Sequence, residues 1–431
     1  MNRELKISLV GNVDSGKSSI TGVLTRGILD DGNGLARSYV LTHNHERLRG
    51  QTSSIGTEII GFDINGKHVI PANPSRNLKE RRLKEYKEVS IKSQTKVVLI
   101  DLCGHQKYLK TTLNGLCGYT PDYSMVIIAA NSGTVPTMTL EHMNTCYALE
   151  IPFFIVLTKI DMAPQNIYEE TMKRIDEFII RYKKRNNLIE VNVPVFKVSN
   201  KTGEGIDELM IYIKSLADKL EPITIDNTEK ADFVIDNTYQ VPGVGIVIGG
   251  FLTSGSIKEG QELVLGPNKL GVFDRIQIRT IHRQCIPTKE IFKYQQSTMA
   301  IKFLDKERIK KKIDKYIIRK GSRIMEAPEG LTDEFDATVK ILRHSTGIRE
   351  GYESVIHMNN IMQTARVIKL YEDTIEPKLD RIDGITNNIL RMGSTGKIRL
   401  KFVQNKECIK VGTLFIFREG NCRGVGSVVG V

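Results

Sequence analysis

Apolar and polar positions follow two patterns along this chain. In the first half, short runs apolar on both faces alternate with stretches of helical period. Leu5–Val10, Lys96–Ile100, Ser124–Ala129, Pro152–Leu157 and Val193–Val198 are rich in Val, Ile, Leu and Phe, as buried parallel strands require. The clearest helical stretches between them are Tyr168–Lys184 and Ile206–Leu220. Strand–helix alternation predicts an α/β domain with a doubly wound, mostly parallel sheet.

Past Pro222 and the polar stretch Asp226–Lys230 the pattern changes to short strands punctuated by glycine, as in VGIVIGGFLTSGSIKEGQELVLG. Such punctuation predicts an antiparallel β-barrel. A second β-rich unit starts near Glu334 and runs to the end of the sequence. Residues 75–93, which mix charges at helical spacing, predict an exposed helix or hairpin. No repeat of solenoid period is present.

Composition narrows the class. At roughly 100–200 residues per domain, 431 residues predict two to four domains. Forty per cent hydrophobic residues excludes general disorder. No apolar stretch approaches the ~20 residues that cross a bilayer. The N-terminus, MNRELKISLVGN, runs straight into a strand pattern and predicts no signal peptide. The six cysteines form no CxxC pair, which predicts reduced thiols in a cytoplasmic protein and no zinc site. The net charge of +12 suggests a polyanionic partner. Residues 1–222 contribute +4 and residues 223–431 contribute +8, with ten basic residues concentrated in Lys302–Arg323. Lys310, Lys311 and Lys312 lie at the centre of that run.

The sharpest motif is Gly11-Asn12-Val13-Asp14-Ser15-Gly16-Lys17-Ser18, which fits GxxxxGK followed by Ser or Thr. It lies between an apolar strand pattern and a helical stretch, where a phosphate loop must lie. Its glycines let backbone N–H groups wrap a β-phosphate, and the following helix adds its dipole. Lys17 reaches the β- and γ-phosphates, and the Ser18 hydroxyl is a Mg²⁺ ligand.

Asp101-Leu-Cys103-Gly104-His105 follows the strand pattern KVVLI. A carboxylate at that strand end can hold Mg²⁺ through water, and the Gly104 N–H can bind the γ-phosphate. His105 is placed to orient the attacking water, an effect that matters because phosphoryl transfer is mostly positioning and charge. Thr158-Lys159-Ile160-Asp161 follows the strand pattern PFFIVL. The Asp161 carboxylate can accept from N1–H and N2–H₂ of guanine, donors that adenine lacks on that edge. The Lys159 stem covers the base. Asn is commoner where Thr158 stands, and one hydroxyl predicts a weaker brace of the phosphate loop. Ser199-Asn200-Lys201 would offer backbone N–H groups to guanine O6.

These four motifs, in this order, resemble the GTPase domain of translational GTPases. GNVDSGKSS and the His after DxxG are similar to the elongation factor Tu/1-alpha branch. Within it, GNVDSGKSSITGVLTRGILDDGNGLAR, TSSIGTEIIGFD, GHQKYLKTTLNG, TKIDM and DNTYQVPGVGIVIGG resemble the eukaryotic GTP-binding protein 1 and 2 group. The resemblance implies a GTPase domain over 1–222 and two β-barrels over 230–327 and 331–431. It adds Ser19 and Met162 to the GTP-binding residues. It implies that Thr52, in Arg49-Gly50-Gln51-Thr52, ligates Mg²⁺ in the GTP state, and that Asp14 holds a monovalent cation. Gln51 stands where elongation factor Tu has an apolar residue that gates the catalytic histidine.

The expected activity is therefore hydrolysis of GTP to GDP, with Lys17, Thr52 and His105 as the catalytic set. The implied partners are tRNA, aminoacylated or not, the ribosome and an exchange factor, with no membrane, for a monomeric protein. The alternative is a nucleotide-latched adaptor that recruits RNA-decay or other protein partners with little turnover. His43 and His45 read as solvated or structural, and Cys103 as a small residue beside the nucleotide.

Overall fold

The structure, a computed structural model, describes residues 3–41, 43–77, 80, 84–185, 192–224, 226, 228–305, 318–319, 321–344, 346–371, 389–419 and 422–431. It divides into two compact units. One comprises Met1–Leu116 and Thr120–Ile223, the other Cys117–Tyr119 and Thr224–Val431.

The first unit is built on seven strands: β1 (Leu5–Gly11), β2 (Gly56–Phe62), β3 (His68–Val69), β4 (Thr95–Asp101), β5 (Tyr123–Ala129), β6 (Phe153–Thr158) and β7 (Val195–Lys197). Their order in the sheet is β3-β2-β4-β1-β5-β6-β7. β4, β1, β5, β6 and β7 are parallel, and β2 and β3 run antiparallel. Every residue of β1 is buried, as expected of a strand covered on both faces. The parallel register aligns Leu9 with Asp101, Gly11 with Ile127 and Ala129 with Thr158. The carboxyl ends of β1, β4, β5 and β6 thus share one edge, where open α/β sheets bind their ligands.

The five strands expected in this unit are present, and β2 and β3 are additions. β2 lacks an apolar signature because it carries Thr57, Glu58 and Gly61. Gly61 is required there: a Cβ would lie 1.8 Å from Ser93 Oγ and 2.7 Å from a Val89 methyl. The segment of mixed charge supplies the helix Tyr86–Lys92, while residues 78–79 and 81–83 of it lie outside the described residues. β2 pairs Gly56 with Asp101, so the chain just before it is delivered to the end of β4.

The second unit contains two closed antiparallel barrels of six strands each. The first runs Glu262–Gly266, Arg323–Met325, Asp232–Val241, Gly245–Ser254, Gln296–Phe303 and Asp274–Arg283, and returns to Glu262–Gly266. The second runs Glu334–Arg343, Thr395–Phe402, Ile361–Leu370, Glu353–Met358, Leu414–Glu419 and Cys422–Gly430, and closes on its first strand. Closure pairs each of these described strands on both sides, which removes the edge an open sheet would leave. Alternate positions fill each interior, including Phe233, Ile276 and Met299 in the first and Phe335, Val367 and Phe415 in the second.

Two arginines at the C-terminal end of the basic run Lys302–Arg323 are structural. Arg323 donates to buried Asp232 at 2.8 Å, and Arg319 donates to buried Glu407 at 2.7 Å. Residues 306–317 and 320, which include Lys310, Lys311 and Lys312, lie outside the described residues.

Candidate functional site: a phosphate and purine cleft

The turn after β1 is a phosphate loop because its backbone takes conformations that ordinary side chains resist. Gly11 (φ +151°), Asp14 (φ +58°) and Gly16 (φ +91°) all have positive φ. A Cβ on Gly11 would lie 2.3 Å from the Ile127 carbonyl oxygen. Gly16 then caps the helix α1 (Lys17–Arg26). The Gly11 N–H donates to Nδ1 of buried His142 at 3.2 Å, and the Ser15 hydroxyl donates to the Asn12 carbonyl at 2.9 Å. Lys17 is buried, and its ammonium donates to the carbonyls of Gly11 (3.2 Å) and Asn12 (2.7 Å). Burial lowers its pKa, and Asp101 works against that shift.

Three oxygens of the expected Mg²⁺ set converge beside this loop. Ser18 Oγ donates to Asp101 Oδ2 at 2.7 Å and lies 2.8 Å from Thr52 Oγ1, which is itself 3.3 Å from Asp101 Oδ2. The other carboxylate oxygen, Asp101 Oδ1, is buried without a hydrogen-bond partner among the described residues. Burial raises the Asp101 pKa, while the Ser18 hydroxyl and Lys17 hold it down. A buried, uncompensated acceptor next to two hydroxyls suits a hard divalent cation, so the residues present fit Mg²⁺. Among the described residues, no cluster of three His, Cys, Asp or Glu offers another metal site.

The two residues after Thr52 are held by Glu46, which the sequence did not single out. Its Oε1 accepts from the backbone N–H and hydroxyl of Ser53 (2.8 and 2.9 Å) and from those of Ser54 (3.1 and 2.9 Å). Its Oε2 accepts from the His43 N–H at 3.2 Å. Burial alone would raise the Glu46 pKa, but these donors bring it down to about 2. His43 and His45 are exposed and stack on each other, and His45 Nε2 lies 2.7 Å from Ser53 Oγ.

Gly104 is pressed against the loop: a Cβ there would lie 2.4 Å from Lys17 Nζ and 2.7 Å from the Gly11 carbonyl oxygen. His105 is exposed at the cleft mouth, and its Nδ1 accepts from the Lys107 N–H at 3.0 Å. In the neutral ring the proton therefore sits on Nε2. The cleft over the loop is lined by Asp14, Lys17, Gln51, Thr52 and His105, and also by Arg37. Buried Cys103 lies beside this site, and burial pushes its thiol up to about 12, which removes it from thiolate chemistry.

At the base-binding end, the Ser199 hydroxyl donates to Asp161 Oδ1 at 2.7 Å and accepts from the Lys201 N–H (3.2 Å) and the Thr202 N–H (3.0 Å). The Ser199 N–H donates to the Glu204 carbonyl. Of the three N–H groups expected to face guanine O6, those of Ser199 and Lys201 are therefore already committed, and the Asn200 N–H remains. Lys159, at φ +61°, takes the left-handed turn that follows β6. The sequence did not mark His142, Glu46 or Arg37, because each acquires its role only through folding.

Residues 2–219 match the family described as the Elongation factor Tu GTP binding domain. The chain is 35% identical over 446 residues to GTP-binding protein 1 of Xenopus laevis, covering 99% of this chain and 63% of that relative. It is 33% identical over 455 residues to GTP-binding protein 2 of Homo sapiens, covering 99% of this chain and 69% of that relative. The chain thus spans less than two thirds of the first relative's length. In fold it resembles translation elongation factor SelB from Methanococcus maripaludis, solved with the GTP analogue GppNHp. That likeness has a TM-score of 0.67 at 18% identity and covers all of this chain and 80% of the SelB chain.

Proposed function

Because the chain belongs to the translational GTPases, a family of GTP hydrolases built on the elongation factor Tu GTP-binding domain, we propose that it is a GTP-hydrolysing translation factor that binds tRNA in its GTP state and acts on the ribosome. One observation carries this reading. Ser18 of the phosphate loop, Thr52 of the segment before β2 and Asp101 at the end of β4 meet in a single hydrogen-bonded cluster. A terminal phosphate bound there can order Thr52, and its loss can release it.

The chemistry follows from these positions. Lys17 and the loop N–H groups hold the β- and γ-phosphates. Ser18, Thr52 and Asp101, the last through water, would hold Mg²⁺, which when bound neutralises charge on the phosphate oxygens. The Gly104 N–H meets the γ-phosphate, and His105 orients the attacking water through Nε2. Asp14 would hold a monovalent cation beside the same phosphates. Asp161 reads the guanine edge and the Asn200 N–H meets O6, with Lys159 and Met162 along the base. No described helix is long and apolar enough to cross a membrane, and we place the protein in the cytoplasm. The +8 carried by residues 223–431 supports an RNA partner for the barrels.

The deciding experiment measures GTP turnover with and without ribosomes, together with binding of aminoacylated and deacylated tRNA in GppNHp and GDP. Ribosome-stimulated turnover with tRNA bound preferentially in GppNHp supports the proposal. Unstimulated turnover with equal tRNA binding in both nucleotides favours the adaptor reading.

A further inference from the structure

Arg37 is the one positively charged side chain among the described residues lining the phosphate cleft that the reading above leaves without a task. It belongs to the short helix Leu35–Ser38, which is clamped onto α1. A Cβ on Gly22 of α1 would lie 2.2 Å from the Ala36 carbonyl oxygen, and Asp30 Oδ1 accepts from the Ala36 N–H at 3.1 Å. The Arg37 backbone therefore has a rigid support on the helix that begins at Lys17.

Its side chain lies between two glycines of positive φ, Gly34 (+96°) and Gly50 (+66°). A Cβ on Gly34 would lie 2.3 Å from Arg37 Nε, and one on Gly50 would lie 2.9 Å from Arg37 Cζ. The missing side chains form a slot that fits the flat guanidinium, and Gly50 is two residues before Thr52. From that slot Arg37 lines the same cleft as Lys17, Thr52 and His105. Its guanidinium makes no hydrogen bond or ion pair among the described residues, whereas the Lys17 ammonium is engaged by two carbonyls. A half-buried guanidinium with no hydrogen bond among the described residues, lining the cleft over a phosphate loop, suits a planar oxyanion.

We propose that Arg37 is a catalytic residue supplied within the chain, whose guanidinium donates to the oxygens of the terminal phosphate of GTP as charge builds there during transfer to water. The bond between the γ-phosphorus and the bridging oxygen breaks with its electron pair leaving on GDP, the water oxygen forms the new bond to phosphorus, a water proton passes to the released phosphate, and Arg37 gains and loses no proton. The glycine slot couples this contact to the segment that carries Thr52, so the two arrive at the phosphate together. The assignment rests on the GTPase reading.

The test compares the parent chain with Arg37→Ala and Arg37→Lys at saturating GTP, with and without ribosomes, alongside GDP affinity and thermal midpoint. Arg37→Ala is expected to lower kcat at least about 100-fold, in line with the effect of arginine residues that stabilise phosphoryl transfer. GDP, which lacks the terminal phosphate, is expected to bind within about threefold of the parent, and Arg37→Lys to fall between the two. A kcat within about threefold of the parent overturns the assignment. So does an equal loss of GDP affinity, or a lowered thermal midpoint that accounts for the lost turnover. Absence of turnover in the parent itself counts against the GTPase reading, and full turnover in parent and Arg37→Ala alike counts against Arg37 alone.

Discussion

Thr158 Oγ1 donates to the Ser15 carbonyl at 2.6 Å, a buried bond that ties the end of β6 to the phosphate loop. The Ile128 carbonyl lies 3.3 Å from the same hydroxyl, so one proton serves both acceptors, and the shorter contact goes to the loop. An Asn here would bring two N–H donors, and Thr158 braces the loop with one.

Replacing Thr158 by Val keeps the shape and deletes that donor. The buried Ser15 carbonyl then loses its partner, at a cost of about 1–3 kcal/mol. Because the brace supports loop backbone common to both nucleotides, the affinities for GTP and GDP are expected to fall together, by about tenfold or more. Titration with fluorescent GTP and GDP measures both. A loss confined to one nucleotide contradicts this role.

His105 is exposed and, among the described residues, makes no hydrogen bond to the loop, so its removal is expected to leave the nucleotide's seat intact. His105→Ala is expected to bind GTP as the parent does and to hydrolyse it about 10²- to 10⁴-fold more slowly, the range for a positioned proton-transfer group. Ribosome-stimulated single-turnover kinetics read this directly. Unchanged turnover removes His105 from the mechanism.

Glu46 makes the Thr52 segment sensitive to acid. Its folded pKa of about 2 lies below the ordinary 4.5, so the unfolded chain takes up the proton first. The stability this carboxylate contributes is present above about pH 4.5 and is lost as pH falls toward 2. Glu46→Gln is expected to lower the thermal midpoint at pH 7 and to speed proteolysis near Ser53 and Ser54. That difference from the parent should shrink steadily below pH 4.5. An equal difference at pH 7 and pH 3 contradicts the linkage.

What could be read in the sequence was what local chemistry imposes. The phosphate loop needs left-handed glycines at fixed spacing, and β1, β4, β5 and β6 are buried on both faces, so each declares itself within a few residues. β2 does not, because it runs antiparallel beside β4 and needs Gly61 beneath Ser93 rather than an apolar run. Glu46, His142 and Arg37 are invisible for a different reason. A glutamate becomes the anchor of the segment after Thr52 only once Ser53 and Ser54 curl around it, and His142 reaches Gly11 from 131 residues away. Ser199 shows the converse: its triplet was legible, but its hydroxyl takes the Lys201 N–H that the motif alone would have assigned to the base.

Arg26, at the end of α1, provides a test of what holds the first unit together. It is buried between two buried carboxylates, Glu58 at 2.6 Å on β2 and Glu85 at 2.9 Å before the helix Tyr86–Lys92. Arg26→Met keeps most of the volume but removes the guanidinium that both buried acids share. Breaking such a group from one side costs about 3–5 kcal/mol, because the desolvation of the remaining charges is no longer offset. The variant is expected to show a markedly lower thermal midpoint for the first unit at pH 7. Replacing Arg26, Glu58 and Glu85 together by apolar residues should recover much of the stability, since the desolvation cost disappears with the charges. If Arg26→Met unfolds at the parent temperature at pH 7, the three groups are hydrated in solution and the buried triad does not support β2.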